Sequence, residues 1–298
     1  MSILSFPNRG PWGKSNWRGN ASGYIYKSLY ELLKPTHVVE VFSGSGTAGE
    51  VAKELNIPIV ELDLHNGFDA TSMSILEHVG HETDFCFGHP PYSQRIIRYS
   101  GHVWGDKEHP SDLSHIEDPD EFFDQLQQVL LNQREATRRG GIYGTLVGDT
   151  RKNGQYISMQ AELIARMPQN ELKSIMVKTQ HNTVSGRTKN YGRMRFAPIE
   201  HEYVILWEKS GGKLHAALAS VTLQNDRRVK GTWRSIVRQA LINLGGSTKL
   251  QDLYAAVAKH APQQNLTNNP NWQAKIRQVL QRYPTDFKNK ERGTWALA

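Results

Sequence analysis

The sequence predicts a doubly wound α/β sheet followed by a small α+β domain. Three observations carry that reading. Short β-branched runs alternate with helical patterns over the first two thirds of the 298 residues. A glycine-rich turn follows the first of those runs, as at the opening of an α/β unit. Past residue 210 the pattern changes to amphipathic helices and a short hairpin.

Residues 24–33 have helical periodicity and end at Lys34-Pro35, where a proline stops the helix. Residues 37–42, HVVEVF, form the first strand and run into Ser43-Gly44-Ser45-Gly46-Thr47. The helical AGEVAKEL follows, then a second strand at 57–64, so the natural connection is a βαβ crossover with a parallel pair. Further strands are expected at 84–87, at 141–147 after a helix at 119–138, and at 172–178 after a helix at 156–166. The last strand, 201–207, is expected to pair antiparallel with its predecessor across the loop 183–198. Residues 1–210 thus form one domain, and periodicity breaks at Ser210-Gly211-Gly212, which begins a linker over 211–230. Within 231–298 helices are expected at 233–244, 250–260 and 272–283, with a hairpin turning at Arg292-Gly293. Three helices and a hairpin are the layout of a winged helix, with Trp233, Leu253, Tyr254, Ile276, Leu280 and Trp295 as its core.

Charge is distributed unevenly along this plan. The chain holds 36 Lys and Arg against 29 Asp and Glu, a formal +7. Residues 211–298 contain 14 basic and 4 acidic residues, leaving 22 and 25 for residues 1–210. The balance is therefore −3 over the first domain and +10 over the rest. A basic module on a near-neutral body suits a polyanion, because neutralising phosphates releases counterions. No window approaches the ~18 uninterrupted apolar residues of a membrane span. Cys86 has no partner for an internal disulfide and the N-terminus lacks an apolar run of signal length, so a soluble, cytoplasmic protein is expected. The twelve histidines, among them His78/His81, His102/His109/His115 and His201, lack paired ligand spacing, and no metal is expected.

Two motifs carry chemistry. In Glu40-Val41-Phe42-Ser43-Gly44-Ser45-Gly46-Thr47 the glycines let the backbone turn sharply against a ligand, and the next helix presents free N–H groups. Asp63, ending the second strand, is placed to accept from ribose hydroxyls. Alone, such a turn serves a dinucleotide or is a tight structural turn equally well. The second motif is Gly88-His89-Pro90-Pro91-Tyr92, after the third strand. Two prolines fix two φ angles and remove two donors, so the preceding carbonyls stay available. A rigid acceptor wall beside an aromatic face suits the exocyclic amine of a flat base.

On these two motifs the chain resembles the amino-methyltransferase family of DNA methylases, which use S-adenosyl-L-methionine to methylate adenine N6 or cytosine N4. The resemblance covers residues 6–207 and implies a Rossmann-like methyltransferase sheet. It implies that Glu40, Phe42, Gly44, Ser45, Gly46 and Thr47 belong to the cofactor site, and that His89, Pro90, Pro91 and Tyr92 form the catalytic pocket. Arg9-Gly10-Pro11-Trp12 and Arg18-Gly19-Asn20 match the segment that contacts the methionine end of the cofactor, and Phe68 and Asp69 those that flank its adenine. The family has an acid, amide or hydroxyl where this chain has His89. A neutral imidazole still accepts a hydrogen bond from an amine, whereas an imidazolium cannot, so His89 is expected to work neutral. The absence of serine at position 89 favours adenine N6 over cytosine N4. The rival readings are cytosine N4 transfer, a protein or RNA methyltransferase, and a catalytically inactive DNA-binding regulator that retains the fold.

Transfer to nitrogen requires mainly positioning and electrostatics. A base within a duplex would have to flip out, at a cost of a few kcal/mol. The resemblance makes double-stranded DNA the partner and adds a cognate restriction endonuclease. Arg187, Lys189, Arg193 and Arg195 around Tyr191 interleave cations with an aromatic, which suits a phosphate-tracking loop or a solvated one. In the C-terminal module, Arg277, Gln278 and Arg282 are expected toward the major groove, and Lys288, Lys290 and Arg292 toward the backbone at the wing. Gln180-His181-Asn182 lines the catalytic face or is a polar turn, and Gly148-Asp149-Thr150-Arg151 supports the pocket or caps a helix.

Overall fold

Glycine, proline and capping residues punctuate the chain where the elements begin and end. The computed structural model describes residues 2–92, 97–105, 107–152, 154–181, 195–212, 221, 233–261, 266–267 and 269–298. They divide into two compact units, Met1–Val221 and Thr222–Ala298. Of the expected linker 211–230, residues 211, 212 and 221 are described, with Val221 buried in the first unit.

The first unit runs β1 (Ile3–Leu4), α1 (Gly23–Leu33), β2 (Val38–Val41), α2 (Thr47–Glu54), β3 (Ile59–Leu62), α3 (Ile75–Val79), β4 (Thr83–Gly88), α4 (Pro119–Ala136) and β5 (Thr137–Val147). A hairpin, β6 (Thr150–Lys152) and β7 (Gln155–Ile157), precedes α5 (Met159–Arg166), β8 (Leu172–Thr179) and β9 (His201–Glu208). Helix α1 stops at Lys34, which is left-handed with φ 49°, before Pro35. Helix α4 begins with Pro119 behind Asp118, whose side chain accepts from the Glu121 N–H. Three expected boundaries shift. Residues 156–157 belong to the hairpin, because Ser158 caps the helix and delays its start to Met159. Residues 137–138 leave the helix and open β5. Residues 64–66 form a 3₁₀ turn after β3, capped by Asp63.

Seven strands form one sheet in the order β1-β8-β9-β5-β4-β2-β3. All its pairs are parallel except the two made by β9, which is antiparallel to β5 and to β8. The antiparallel strand is thus last in sequence and does pair with its predecessor, yet it lies inside the sheet. Side chains alternate between two cores. Val39, Val41, Cys86, Tyr143, Ile205 and Trp207 pack with α4 and α5 on one face. Val38, Phe85, Phe87, Leu146, Val204 and Leu206 pack with α1 and α2 on the other. This is a doubly wound α/β fold. From β2 the chain winds out to β3, and from β4 to β5, so the carboxyl ends of β2 and β4 diverge and open a crevice.

The second unit runs α6 (Trp233–Asn243), β10 (Ser247–Lys249), α7 (Leu250–His260), α8 (Trp272–Arg282), β11 (Phe287–Glu291) and β12 (Thr294–Leu297). Its strands form a sheet in the order β10-β12-β11. Leu253, Ile276 and Leu280 are buried in its core, with Trp233, Tyr254 and Trp295 packed against them. Asp286 accepts from Arg234 at 2.5 and 2.8 Å and pairs with Arg238 at 2.7 Å. Hydrogen bonding from Arg234 pulls the Asp286 carboxyl down to about 2.

Candidate functional site

The crevice holds a cleft lined from both sides. Its β2 side is the glycine turn. Phe42, Gly44 and Gly46 all have positive φ, of 64°, 54° and 77°. For a bulky residue such as Phe42 this conformation stores roughly 1–3 kcal/mol, a strain typical of functional turns. The turn is fixed by its own bonds: Ser43 N–H donates to Leu62 O at 3.1 Å, Gly46 N–H to Ser43 O at 2.9 Å, and Gly44 N–H to Asp63 Oδ2 at 2.9 Å. The other Asp63 oxygen accepts from His65 N–H at 2.8 Å. Burial lifts the Asp63 carboxyl above the ordinary range despite these two donors.

The N-terminal segment is fastened over this turn. Asn20 Nδ2 donates to Ser45 Oγ at 2.6 Å, Thr47 Oγ1 to Asn20 Oδ1 at 2.6 Å, and Gly13 N–H to Glu50 at 2.8 Å. Asn20, Phe42, Gly44, Ser45, Asp63, Phe68 and Asp69 therefore line one cleft. Arg18, Glu40, Gly46 and Thr47 stand outside its lining. Arg18 is exposed, and its carbonyl accepts from the Tyr99 hydroxyl at 3.3 Å. Glu40 is buried beside Tyr26, and burial drives its carboxyl well above the ordinary range.

His89 and Pro91 form the opposite wall. Pro90, which is buried, and Tyr92 stand outside the lining. Burial holds the His89 ring below its ordinary pKa; Glu202 opposes this and Lys178 reinforces it. Tyr92 lies with its ring centroid 6.1 Å from that of His89, and its hydroxyl donates to Glu202 Oε1. Lys178 Nζ donates to Glu202 Oε2 at 2.5 Å. Lys178 and Glu202 are register partners on β8 and β9, so the ion pair joins the strands beside the motif.

Several lining residues carry no signal in the sequence. The segment after Tyr92 returns over the cleft and contributes Tyr99, Trp104, Ser111, Asp112 and Leu113, while Trp17 comes from the N-terminal segment. Asp112 staples this cover: its Oδ2 accepts from Ser100 N–H and Oγ at 2.8 Å each, and Oδ1 accepts from Ser114 N–H at 2.9 Å. Glu202 was the more legible omission, since it is an acid amid buried strand residues in His-Glu-Tyr-Val-Ile-Leu-Trp.

Of the expected nucleic-acid residues, Arg187, Lys189 and Arg193 lie outside the described residues. Arg195 is exposed, with its guanidinium 5.9 Å from the Phe196 ring centroid. Arg151 lies 5.4 Å from the Tyr156 ring and 6.0 Å from Phe196, whose exposure is 65%. This arginine and aromatic surface adjoins Asp149, which accepts from Tyr156 Oη at 2.7 Å and from the Gln160 N–H at the start of α5. Gln180 and His181 do not line the cleft, and Asn182 is outside the described residues. Arg277, Gln278, Arg282, Lys288, Lys290 and Arg292 are all exposed on the second unit. Among the described residues, no three His, Cys, Asp or Glu side chains group to hold a metal, and no helix is long and apolar enough to cross a membrane.

A cleft at the switch point of a doubly wound sheet, with a glycine turn and a carboxylate facing a proline-rigid loop, defines a Rossmann-like domain with a cleft where such sheets take their ligands. No family model and no curated protein matches the chain. Solved structures similar to it include a Thermus thermophilus protein named as a DNA modification methylase and complexed with S-adenosyl-L-methionine. The match has 19% identity and a TM-score of 0.30, and covers 59% of this chain and 57% of that one. TrmN from Thermus thermophilus matches at 14% identity and a TM-score of 0.35, over 64% and 50% of the two chains. A SAM-dependent methyltransferase from Archaeoglobus fulgidus matches at 10% and 0.36, over 63% and 95%. The chain thus spans between half and three fifths of the length of the first two, and at these levels no likeness speaks to activity.

Proposed function

We propose that the protein is an S-adenosyl-L-methionine-dependent DNA amino-methyltransferase acting on a flipped base, with adenine N6 as the favoured acceptor. The observation that carries this reading is the convergence of the two motifs: His89 and Pro91 line the same cleft as Gly44, Ser45 and Asp63. The cleft suits the cofactor. A Cβ on Gly19 would fall 2.2 Å from the Tyr99 hydroxyl, and one on Gly44 would fall 3.0 Å from Trp17 Nε1, so both glycines keep the cradle open. Phe68 and Trp104 offer apolar walls for a purine, and Asp63 offers a carboxylate for ribose hydroxyls. When bound, S-adenosyl-L-methionine supplies an electrophilic methyl group.

The chain's own residues then have little acid–base work. His89 as a neutral ring and the Pro90 carbonyl accept hydrogen bonds from the amine, aiming its lone pair, while Tyr92 presents a face to the base. The +10 balance of residues 211–298 and the arginine and aromatic surface around Phe196 support a nucleic-acid substrate.

Tritiated-methyl transfer by the full chain to duplex DNA tests this reading, and label must appear in the DNA. DNA that is bound but unlabelled would point instead to a regulator that keeps the fold. Asp63→Ala is expected to weaken cofactor binding by about tenfold or more, the loss of a hydrogen bond to a charged group, as read by tryptophan fluorescence from Trp17 and Trp104. Replacing Arg277, Arg282, Lys288 and Lys290 together by Gln is expected to weaken DNA binding about equally across sequences. It should also flatten the salt dependence, by a slope of roughly one for each phosphate left unneutralised, with cofactor affinity unchanged.

A further inference from the structure

We infer that Glu202, aligned by Lys178 and given room by Gly148, is the positioning residue that fixes the Tyr92 ring beside the reacting amine. The inference rests on the reading above and assigns it three residues outside either motif. The Tyr92 hydroxyl and the Lys178 ammonium take one oxygen each of the Glu202 carboxylate. Glu202 is only 5% exposed, so the carboxylate has little water to fall back on, and both bonds act in a desolvated setting where they are strong. Lys178 keeps the acid ionised: burial alone would raise its carboxyl, yet Lys178, His89 and Tyr92 together hold it below the ordinary range. An ionised carboxylate is an acceptor only, so Tyr92 must donate, and that fixes the direction of its O–H.

Gly148 is the third part. Its φ is not positive, so conformation does not require glycine there. Space does: a Cβ would lie 2.9 Å from Glu202 Cγ and 3.0 Å from the Tyr92 hydroxyl oxygen. The end of β5 is therefore hollowed so that a phenol from the β4 loop can reach a carboxylate on β9. A ring pinned at its hydroxyl end cannot swing about χ1, and its face is preset for a base. The network also adjoins His89, on which the charges of Glu202 and Lys178 act with opposite sign. It brings a carboxylate from β9, one strand beyond β5, near the position where the family has an acid, amide or hydroxyl and this chain has His89.

The test uses the full chain with ¹³C-labelled tyrosine ring carbons, the Tyr92 signals being those that disappear in Tyr92→Phe. Glu202→Gln and Gly148→Ala are each expected to shift those signals while thermal unfolding stays cooperative. Signals unmoved by both substitutions would overturn the inference, whatever the enzyme's substrate. In methyl transfer to DNA, Glu202→Gln and Tyr92→Phe should each lower kcat about tenfold with KM for the cofactor unchanged, and the double variant should be no slower than Tyr92→Phe. Losses that multiply would also overturn it. Absence of methyl transfer to DNA in the unsubstituted protein would refute the DNA reading, and the tyrosine signals would still judge the network.

Discussion

His89→Ala is expected to lower methyl transfer roughly 100- to 1,000-fold, the usual cost of removing one preorganised polar group from a reacting centre. The fold should survive, because His89 is only partly buried and lines a cleft rather than a core. Cofactor affinity, which the proposed reading assigns to the glycine turn and Asp63 on the opposite wall, should change little. The pH profile follows from the same ring. On the proposed reading the neutral form is the active one, so rate is full above the folded-state pKa and falls as pH drops through it. Burial places that pKa below the ordinary imidazole value near 6.5, and Lys178 lowers it further while Glu202 pulls it back. The acid limb of the rate should therefore lie below about 6.5 and vanish in His89→Ala. Unchanged transfer in His89→Ala would refute the assignment.

Glu171→Leu is expected to cost the first unit roughly 3–5 kcal/mol of stability, measured by urea unfolding of the full chain. Glu171 is buried at the start of β8, where its two oxygens accept from Arg134 Nε and Nη2 at 2.9 and 2.8 Å, from Tyr143 Oη at 2.6 Å and from Ser210. Arg134 on α4 is itself 1% exposed and keeps Glu135 on Nη1 at 3.0 Å, so removing Glu171 leaves the Nε and Nη2 of a buried guanidinium without their acceptor. Replacing both residues by apolar ones of similar size should recover much of the loss, since a buried pair costs far more to break than to omit. The pH dependence has a definite sign. Burial would raise the Glu171 carboxyl, but hydrogen bonds from Arg134, Ser210 and Tyr143 hold it below its ordinary range. Its contribution is thus complete above the unfolded-state value of about 4.3 and is lost as pH falls through the lower folded-state value. A Glu171→Leu protein with an unchanged urea midpoint would refute this account.

Six strands of the first unit, β2 to β5, β8 and β9, were legible because each is a short apolar run bounded by turn residues. Both cleft walls were legible for a related reason. Phe42 to Ser45 on one wall and His89 and Pro91 on the other each fall within a contiguous motif, so this part of the lining is written along the chain. Boundaries moved where a cap outranked propensity, as at Ser158. The residues that escaped are those joined only by folding: Trp17 and Trp104 line one cleft on either side of the His65 ring, and Lys178 meets Glu202 only because β8 pairs with β9 in that register.

The amino-acid sequence by itself therefore determined the α/β class, the two glycine- and proline-built motifs and the concentration of positive charge after residue 210. Each of these is a local or compositional property, readable without knowing what touches what. Only the tertiary structure decided that β9 lies between β5 and β8, and so that an acid near the start of that strand reaches Tyr92. It also decided that Gly148 leaves room for that approach and that Glu171 is held by Arg134. Those facts depend on strand order and register, which bring residues 28 to 110 positions apart within hydrogen-bonding distance, and no local pattern encodes such distances.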